Sequence, residues 1–341
     1  MSTTSCFTLR ESRDLACAVY RHADLRLAAL EERDFEGGEF KLRPLESVRD
    51  RTALVFQCLA GTAEASMSER LIRLLFLLYG LRDAGATRRI ALLPYLTFAR
   101  KDRRTQPRDP VNSRYIAQLL ESAGVDRVVT LDVHNPAALD NAFRVPVDHL
   151  SALPMMVDHL ATHLPAALLT VASPDIGGVK RAQIFRELLE GRLGRPVELA
   201  FFEKRRAQGV VSGDALVGVV KARTVIVIDD LCATGNTLKR AAEVCNRAGA
   251  RAVYAAVTHA PYTPGIASVV ADPGLAGVIT TDSVGYHFGL AQGSSGPLPP
   301  DCAGKLTVLS IAPLFGEAVR RMLSGKPLAP LLQRWPLEAG D

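Results

Sequence analysis

The sequence predicts an α/β fold of two successive units, each with a mainly parallel sheet flanked by helices. Short apolar, β-branched runs alternate with segments of helical periodicity along most of the chain. This alternation occurs twice, once before and once after about residue 150, which suggests an internal duplication. The length of 341 residues allows two domains of ordinary size, each with its own core.

The first unit starts with a helical segment at 15–20 and a glycine-containing turn at 35–39. An apolar run at 53–58 predicts a buried strand, and the amphipathic pattern of 67–84 predicts the helix that follows it. The order then repeats as strand 89–93, helix 111–124 and strand 127–131. We therefore expect a first domain over residues 1–150.

The second unit begins with a helical pattern at 155–163, and we expect its domain over residues 151–305. Its expected strands are 168–172, 197–202, 224–228, 252–257 and 277–281, and its further helices are 179–190 and 238–248. Gly, Ser and Pro dominate 291–301, which is typical of a surface loop. A strand and a helix follow over 306–324, and we expect the tail 325–341 to be peripheral.

The composition favours an enzyme of small anionic substrates over a nucleic-acid or membrane protein. Lys and Arg number 41 against 36 Asp and Glu, an excess of +5 without the clustering of a nucleic-acid-binding surface. The six cysteines form no C-x-x-C pair, which predicts reduced thiols in the cytoplasm and no zinc site. We recognise no secretory signal, and the most apolar helix candidate, 71–81, is too short to span a bilayer.

The stretch 224–237 is the main candidate for a functional site. Its apolar strand ends in two carboxylates, and a loop of small residues leads into a helix; the polar and loop residues are Asp229, Asp230, Ala233, Thr234, Gly235, Asn236 and Thr237. Ligands of α/β sheets bind at the carboxyl ends of strands, where a helix N-terminus favours phosphate. A phosphorylated sugar fits both halves, although Asp at strand ends and Thr at helix starts are also common structural features.

Four further clusters follow predicted strands, where residues of a shared site collect. The basic loop 95–113 contains five cations and suits polyphosphate. His134 is a candidate metal or phosphate ligand, and Asp175 a candidate magnesium ligand. Lys204 and Arg206 are suited to stabilise charge on a transferring phosphoryl group. Each cluster taken alone has a structural explanation as a solvated loop, a turn or a surface charge.

Together the clusters resemble the phosphoribosyl pyrophosphate synthase family in content, order and spacing. The matching segments are 99–104 (ARKDRR), 130–134 (TLDVH), 173–178 (SPDIGG), 204–206 (KRR) and 228–237 (IDDLCATGNT). Further matches are VPVDHL at 145–150 and TH at 258–259, so the similarity extends over about residues 35–321. Segment 228–237 alone is equally typical of type I phosphoribosyltransferases, in which the other four are not expected.

The resemblance implies two tandem type I phosphoribosyltransferase-like domains, with the strand and helix of 306–324 packing back on the first. It also implies Mg²⁺-dependent transfer of the diphosphoryl group of ATP to the 1-hydroxyl of ribose 5-phosphate, giving phosphoribosyl pyrophosphate and AMP. The sequence contains no G-x-x-x-x-G-K-[ST] loop, so side-chain cations and a metal would hold ATP. Phe35 and Glu39 match a segment that reaches ATP in a neighbouring subunit, which implies a homo-oligomer.

The family roles apply to the matching residues of this sequence. The implied catalytic residues are Lys204, Arg206 and His134, and the implied metal ligands are His134 and Asp175. The implied ATP-binding residues are Phe35, Glu39, Arg100, Lys101, Asp102 and His134. The implied ribose 5-phosphate-binding residues are Asp175, Asp229, Asp230, Ala233, Thr234, Gly235, Asn236 and Thr237.

The sequence departs from the usual family pattern at several positions. Gly37 stands where an Asp is usual, Lys101 replaces a Gln, Ala233 replaces an acid, and segment 135–143 differs and is one residue longer. The first two bear on nucleotide preference, and the last bears on subunit packing and allosteric control. Two alternatives stay open beside the synthase: a phosphoribosyltransferase that uses phosphoribosyl pyrophosphate, and a non-catalytic homologue that regulates a synthase.

Overall fold

The computed structural model describes residues 4–62, 65–164, 167–207, 210–261, 264–284 and 304–332, without the side chains of 204–207, 210–214 and 264. In this part of the chain the predicted α/β class is confirmed, because two sheets of mainly parallel strands are flanked by helices. The predicted loop 291–301 and the end of the tail, 333–341, lie outside the described residues.

The first domain is built on a five-stranded sheet in which all neighbouring strands are parallel. In the order of both chain and space, these strands are β1 (Thr4–Thr8), β4 (Thr52–Phe56), β5 (Arg88–Leu93), β6 (Arg127–Leu131) and β7 (Val147–Leu150). The helices are α1 (Arg13–His22), α2 (Met67–Asp83), α3 (Asn112–Ser122) and α4 (Pro136–Ala142). Helices on a parallel sheet bury its strands, and this explains their continuous apolar runs.

The second domain is built on a seven-stranded sheet with the spatial order β10-β9-β8-β11-β12-β13-β14. These strands are β8 (Leu169–Ser173), β9 (Glu198–Ala207), β10 (Val210–Val217), β11 (Thr224–Leu231), β12 (Ala252–His259), β13 (Gly277–Thr281) and β14 (Leu306–Leu309). Only the β9–β10 pair of this sheet is antiparallel among the described residues. The helices are α5 (Leu153–His163), α6 (Val179–Leu193), α7 (Asn236–Arg247), α8 (Pro264–Val270) and α9 (Ala312–Ser324).

The two domains share one hydrophobic core, in which Phe56 of the first sheet and Ile226 of the second belong to the same buried cluster. Helix α9 packs on α1, and both helices contribute buried residues to this core. Gly316 permits the close approach, since a Cβ atom there would lie 2.3 Å from the Cβ of His22. Among the described helices, none has the length and apolar character needed to cross a membrane.

The C-terminal segment differs from its prediction in two respects. Of 306–324, only helix α9 packs on the first domain, whereas strand β14 pairs with β13 and extends the second sheet. The tail is not peripheral over 325–332, because Leu331 and Leu332 pack against the shared core and Leu332 bridges Leu150 at the end of β7. Apolar side chains therefore anchor a segment whose prolines suggested a solvated tail.

An antiparallel hairpin of β2 (Leu30–Asp34) and β3 (Phe40–Pro44) projects from the first domain. Its turn is a short 3₁₀ segment, Glu36–Gly38, in which Gly37 has a φ of 77°. Arg73 of α2 holds the hairpin: its Nη2 lies 2.8 Å from Asp34 Oδ1, and its guanidinium lies 4.6 Å from the ring centroid of Phe40. The hairpin is thus fixed to α2 by an ion pair and a cation–π contact.

Asp132 links the two domains at the end of β6. Its side chain is completely buried, and its Oδ2 accepts hydrogen bonds from Thr258 Oγ1 of β12 at 2.6 Å and from Ala152 N at 3.1 Å. His259 adds a second link, because its Nε2 donates to Leu131 O at 3.0 Å. Burial lowers the pKa of His259, so it makes this contact as a neutral imidazole.

Replacing Asp132 with alanine is expected to lower the free energy of unfolding by about 2–4 kcal/mol. The change leaves the Thr258 hydroxyl and the Ala152 N–H without their acceptor, and the φ of 36° at this position disfavours alanine. Asp132→Asn is the matched control, since asparagine keeps an acceptor oxygen and tolerates positive φ. Denaturant unfolding measures both; equal losses in the two variants would contradict the role of the shared acceptor.

Candidate active site

The carboxyl ends of β6, β8 and β11 open onto one cleft of about 750 Å³, here called the main cleft. Residues of both domains line it, as expected where strands of parallel sheets end. The predicted site residues that it brings together are Asp102, His134, Asp175, Asp229 and Asp230. Each of these residues follows a predicted strand, so the sequence placed it at the carboxyl end of its sheet. In the fold, the carboxyl ends of the two sheets face each other.

Asp230 is the centre of the hydrogen bonds in the main cleft, with a side chain only 7% exposed. His134 Nδ1 lies 2.8 Å from its Oδ2, and Arg181 Nη1 lies 3.1 Å from its Oδ1. Both carboxylate oxygens are therefore occupied by protein groups. Asp230 thus joins residues of both domains, and its predicted contact with sugar hydroxyls stays a prediction.

Asp229 also lines the main cleft, and its side chain is more exposed than that of Asp230. Its side chain is 22% exposed, and its Oδ1 accepts a hydrogen bond from Asp230 N at 2.9 Å. Arg181 Nη1 is farther from it, at 3.7 Å. Asp229 is thus held in place by the backbone and retains capacity to bind hydroxyl groups.

The two carboxyl groups titrate as a pair with opposite shifts. Burial raises the pKa of Asp229, and the hydrogen bond and charge of Asp230 raise it further. Burial also opposes ionisation of Asp230, but the hydrogen bond from His134 and the guanidinium of Arg181 outweigh burial and lower the pKa of Asp230. Asp230 is therefore the more readily ionised member of the pair, because its cationic partners favour the charged form.

His134 stands opposite the acid pair, with 46% of its side chain exposed to the main cleft. The hydrogen bond to Asp230 raises the pKa of His134 and outweighs the effect of its burial. The same bond fixes Nδ1–H on Asp230, so Nε2 is the ring nitrogen that remains for a ligand. In its protonated form, this side chain offers an N–H donor to an anion.

The predicted phosphate loop forms the mouth of a smaller cleft of about 150 Å³. Gly235 is the residue before α7 and has a φ of 78°, a left-handed conformation that glycine adopts at little cost. A Cβ atom there would lie 2.3 Å from Val269 Cγ2 and 2.8 Å from Gly265 O. The residues of the loop that line this cleft are Ala233, Thr234, Gly235 and Thr237, with Arg100, His134 and Asp175 opposite them.

Asn236 lies beside this cleft at the start of α7, whose free N–H groups and dipole favour an anion. It lines an adjoining pocket together with Thr237, Arg240 and Asp175. The predicted strand, loop and helix order is confirmed, and the buried face of α7 consists of Leu238, Ala241, Ala242 and Cys245, as the periodicity indicates. The segment 233–237 therefore has the geometry expected of a phosphate-binding loop.

The basic loop contributes to the site unevenly. Arg100 lines both the 150 Å³ cleft and a neighbouring cleft of about 360 Å³. Lys101 lines the latter, but its Nζ lies 2.6 Å from Asp109 Oδ2. Lys101 and the N–H and hydroxyl donors of the loop hold the pKa of Asp109 well below its usual range. The ammonium of Lys101 is thus engaged within its own loop.

Asp102 is tied to segment 135–143, since Asn135 Nδ2 donates to Asp102 Oδ2 at 2.6 Å. Asn135 also caps α4, accepting from Ala138 N at 3.2 Å. Most of segment 135–143, which departs from the family pattern, forms the short helix α4 (Pro136–Ala142). This helix begins beside the main cleft, because Asn135 and Pro136 line it.

Two pairs of predicted residues stand apart from this arrangement. Phe35 and Glu39 are exposed at the turn of the β2–β3 hairpin, and neither lines the clefts described above. The side chains of Lys204 and Arg206 lie outside the described residues. Their backbone belongs to β9, directly after Phe202 and Glu203, which line the main cleft.

Arg181 is the site residue that sequence reasoning missed. It lies in the first turn of α6, and its side chain is 9% exposed. A signal was available: Arg181, Phe185 and Leu189 are spaced four residues apart on the buried stripe of α6. A charged residue on an apolar stripe, directly after a polar strand end, indicates a buried ion pair.

Asp175 is the residue best suited to a magnesium ion. It is exposed at the junction of the clefts, and its Oδ1 accepts from Gly178 N at 3.0 Å. Within the described ranges, no group of three His, Cys, Asp or Glu side chains has the geometry of a metal site. Mg²⁺ usually takes one or two carboxylates together with substrate phosphates, and this requirement is compatible with Asp175.

Comparison with known proteins gives full-length matches. Residues 4–124 match the N-terminal domain of ribose phosphate pyrophosphokinase, residues 155–265 the phosphoribosyl transferase domain, and residues 212–333 the phosphoribosyl synthetase-associated domain. The ribose-phosphate pyrophosphokinase of Caldanaerobacter subterraneus is 34% identical over 328 residues, covering 95% of this chain and 96% of that one. The enzyme of the same name from Hyphomonas neptunium is 32% identical over 335 residues, covering 98% and 100%.

A solved structure gives the same result for the fold. The crystal structure of phosphoribosylpyrophosphate synthetase from Mycobacterium smegmatis is similar with a TM-score of 0.81 at 31% identity. The match covers 94% of this chain and 99% of that chain. The fold of this chain is therefore similar to that of the Mycobacterium smegmatis protein over nearly its whole length.

Proposed function

This chain belongs to the ribose-phosphate pyrophosphokinase family, and we propose that it transfers the β,γ-diphosphoryl group of ATP to the 1-hydroxyl of ribose 5-phosphate. The products are phosphoribosyl pyrophosphate and AMP. One observation carries the assignment to this site: a carboxyl group and a phosphate-binding loop of one domain face His134 of the other across a single cleft.

Ribose 5-phosphate fits the second-domain side of the cleft. Its phosphate would accept hydrogen bonds from the N-terminus of α7 and from the hydroxyls of Thr234 and Thr237. Its ring hydroxyls would meet Asp229, which can accept hydrogen bonds in either protonation state. Ala233 and Asn236 belong to the same loop and would contribute to its backbone shape around the phosphate. The sugar is thereby oriented with its 1-hydroxyl toward the first domain, which is the main requirement for in-line transfer.

The nucleotide fits the first-domain side. Arg100 and Asp102 line the clefts there, and His134 presents Nε2 from a ring anchored on Asp230. In the reaction the 1-hydroxyl oxygen bonds to the β-phosphorus as the bond between the α,β-bridging oxygen and that phosphorus breaks. AMP leaves with the bridging oxygen, and the hydroxyl proton passes to water. Charge that develops on the phosphoryl oxygens is stabilised by the protonated His134 and, by the resemblance, by Lys204 and Arg206. Lys101 also lines a cleft on this side, and its contact with Asp109 would hold its ammonium in the loop that meets the nucleotide.

Magnesium completes the proposal. Of the two predicted ligands, Asp175 supplies the oxygen donor that Mg²⁺ prefers. His134 fits better as a phosphate donor, because its raised pKa favours the protonated form, which cannot ligate a metal. When bound with ATP, the ion neutralises phosphate charge.

Two further parts of the proposal concern assembly and location. Phe35 and Glu39 are exposed on a hairpin anchored by Arg73, which suits contact with the nucleotide of a neighbouring copy in a homo-oligomer. The cysteines of the described residues, among them the buried Cys58 and Cys232, are free thiols. Free thiols are typical of a reducing compartment, which supports a cytoplasmic location.

³¹P NMR of the protein with ribose 5-phosphate, ATP and Mg²⁺ tests the function. We expect AMP and a new diphosphate ester, formed only when the sugar phosphate is present and suppressed by EDTA. A phosphoribosyltransferase would instead consume phosphoribosyl pyrophosphate and a base, releasing pyrophosphate. Absence of AMP and the ester with active family controls under the same conditions would contradict the proposal.

Lys204→Ala is expected to lower turnover by about 100-fold, because it removes a cation that stabilises transition-state charge. Steady-state kinetics measure the change, and circular dichroism checks that the fold persists. Lys221→Ala is a matched control: it removes an exposed lysine that lines none of the clefts described above. Wild-type turnover in Lys204→Ala would remove Lys204 from the proposed mechanism.

A further inference from the structure

Arg181 carries a buried positive charge, which is stable in a protein interior only when it is paired. Its guanidinium lies on the acid pair, with Nη1 at 3.1 Å from Asp230 Oδ1 and 3.7 Å from Asp229 Oδ1. The side chain extends from α6, which follows β8, and β8 is the neighbour of β11, the strand that leads into the phosphate loop. Arg181 is therefore the cation that allows two adjacent carboxyl groups to be buried together.

The two oxygens of Asp230 connect the domains through this cation. Oδ1 is bound by Arg181 of the second domain, and Oδ2 is bound by His134, which follows β6 of the first domain. These two contacts fix the orientation of the carboxylate. Asp229 has the more exposed side chain of the two and is better placed to meet the ribose.

We propose that Arg181 is a positioning residue of the ribose site: it fixes Asp230 against His134 and so leaves Asp229 to face the sugar. The inference rests on the proposed function of the cleft. It concerns the binding of ribose 5-phosphate, so it can be measured apart from turnover.

The position of the guanidinium argues for action through Asp230. Arg181 lines the main cleft, but its Nε is buried and has no hydrogen-bond partner in the described part of the chain. Nη1 is occupied by the acid pair. A residue that acts only through its neighbour gives a characteristic result in a double-mutant cycle, since removing both members costs no more than removing the more important one.

The test compares Arg181→Met, Asp230→Asn and the double variant by calorimetry with ribose 5-phosphate and by steady-state kinetics. We expect Arg181→Met to weaken ribose 5-phosphate binding by about 30-fold, as for loss of one partner of a buried charge pair. The KM for ATP should change by less than about 3-fold, because His134 keeps its own hydrogen bond to Asp230 Oδ2 in this variant. The double variant should bind no more weakly than the weaker single variant.

Arg181→Lys covers the case in which Arg181→Met fails to fold. Lysine keeps the charge but not the planar fork, so we expect an intermediate loss of ribose 5-phosphate affinity. Arg192→Ala is the control on the same helix, since it removes an exposed arginine paired only with Asp158 at the surface. It should leave affinity and kinetics unchanged.

Three results would overturn the inference. Unchanged ribose 5-phosphate affinity in Arg181→Met and Arg181→Lys, with only a lower melting temperature, would assign Arg181 a structural role. Multiplied losses in the double variant would show that Arg181 contacts the substrate directly. An equal loss of ATP and ribose 5-phosphate affinity would show a general collapse of the cleft. Failure of the wild type to produce AMP would instead count against the proposed reaction, because the binding measurements do not depend on it.

Discussion

Replacing Gly235 with alanine is expected to lower kcat/KM for ribose 5-phosphate by about 1000-fold, because it displaces the loop that holds the phosphate. The added Cβ would lie 2.3 Å from Val269 Cγ2 and 2.8 Å from Gly265 O. The Val269 side chain can yield, but the backbone carbonyl of α8 cannot without moving the helix. The left-handed φ of 78° adds backbone strain.

Gly191→Ala is the control for this change. Gly191 lies inside α6, and an added Cβ there would meet nothing within 4 Å. Alanine should stabilise the helix by about 0.5–1 kcal/mol and leave the kinetics unchanged. Kinetics with both substrates and thermal unfolding distinguish the two variants. Wild-type KM for ribose 5-phosphate in Gly235→Ala would show that this loop does not bind the phosphate.

The fold was predictable from the sequence wherever a strand or helix is buried, because burial requires a regular spacing of apolar residues. Strand β6 occupies the predicted residues 127–131, and α2 ends within one residue of its prediction. The β2–β3 hairpin was not predicted, since its first strand, LEERD, is mostly polar and has no fully buried residue. Its stability comes from Arg73 and Phe40, which contact each other only in the folded chain. Strand β1 escaped prediction because TSCFT is short and mixes polar and apolar residues.

The candidate site was predictable where its residues are adjacent in sequence. Asp229, Gly235 and Thr237 belong to one strand, loop and helix, whose local order fixes their geometry. The contacts of Asp230 were not predictable, because its partners are 96 and 49 residues away in the chain. A strand-end aspartate looks the same whether it binds a sugar or another side chain. Only the packing of α6 and β6 around it decides between these roles.

His134→Ala is expected to lower kcat by about 1000-fold, because it removes a donor to the transferring phosphoryl group and unties one oxygen of Asp230. KM for ribose 5-phosphate should rise less, since the phosphate loop is untouched. His149→Ala is a matched control: this histidine is bound to Asp140 at 2.9 Å and does not line the main cleft. Near-normal kcat in His134→Ala would exclude the histidine from the chemical step.

The pH dependence of kcat/KM provides an independent check of the same role. The hydrogen bond to Asp230 raises the pKa of His134, so its protonated form, which donates through Nε2, persists to higher pH than in a free histidine. Activity that needs this form is complete at low pH and is lost as pH rises through the folded-state pKa. Asp230→Asn removes the carboxylate and should move the falling limb to lower pH. His134→Ala should lack this limb and retain only the titration of the substrates, so an identical limb in all three proteins would assign it to ATP or ribose 5-phosphate.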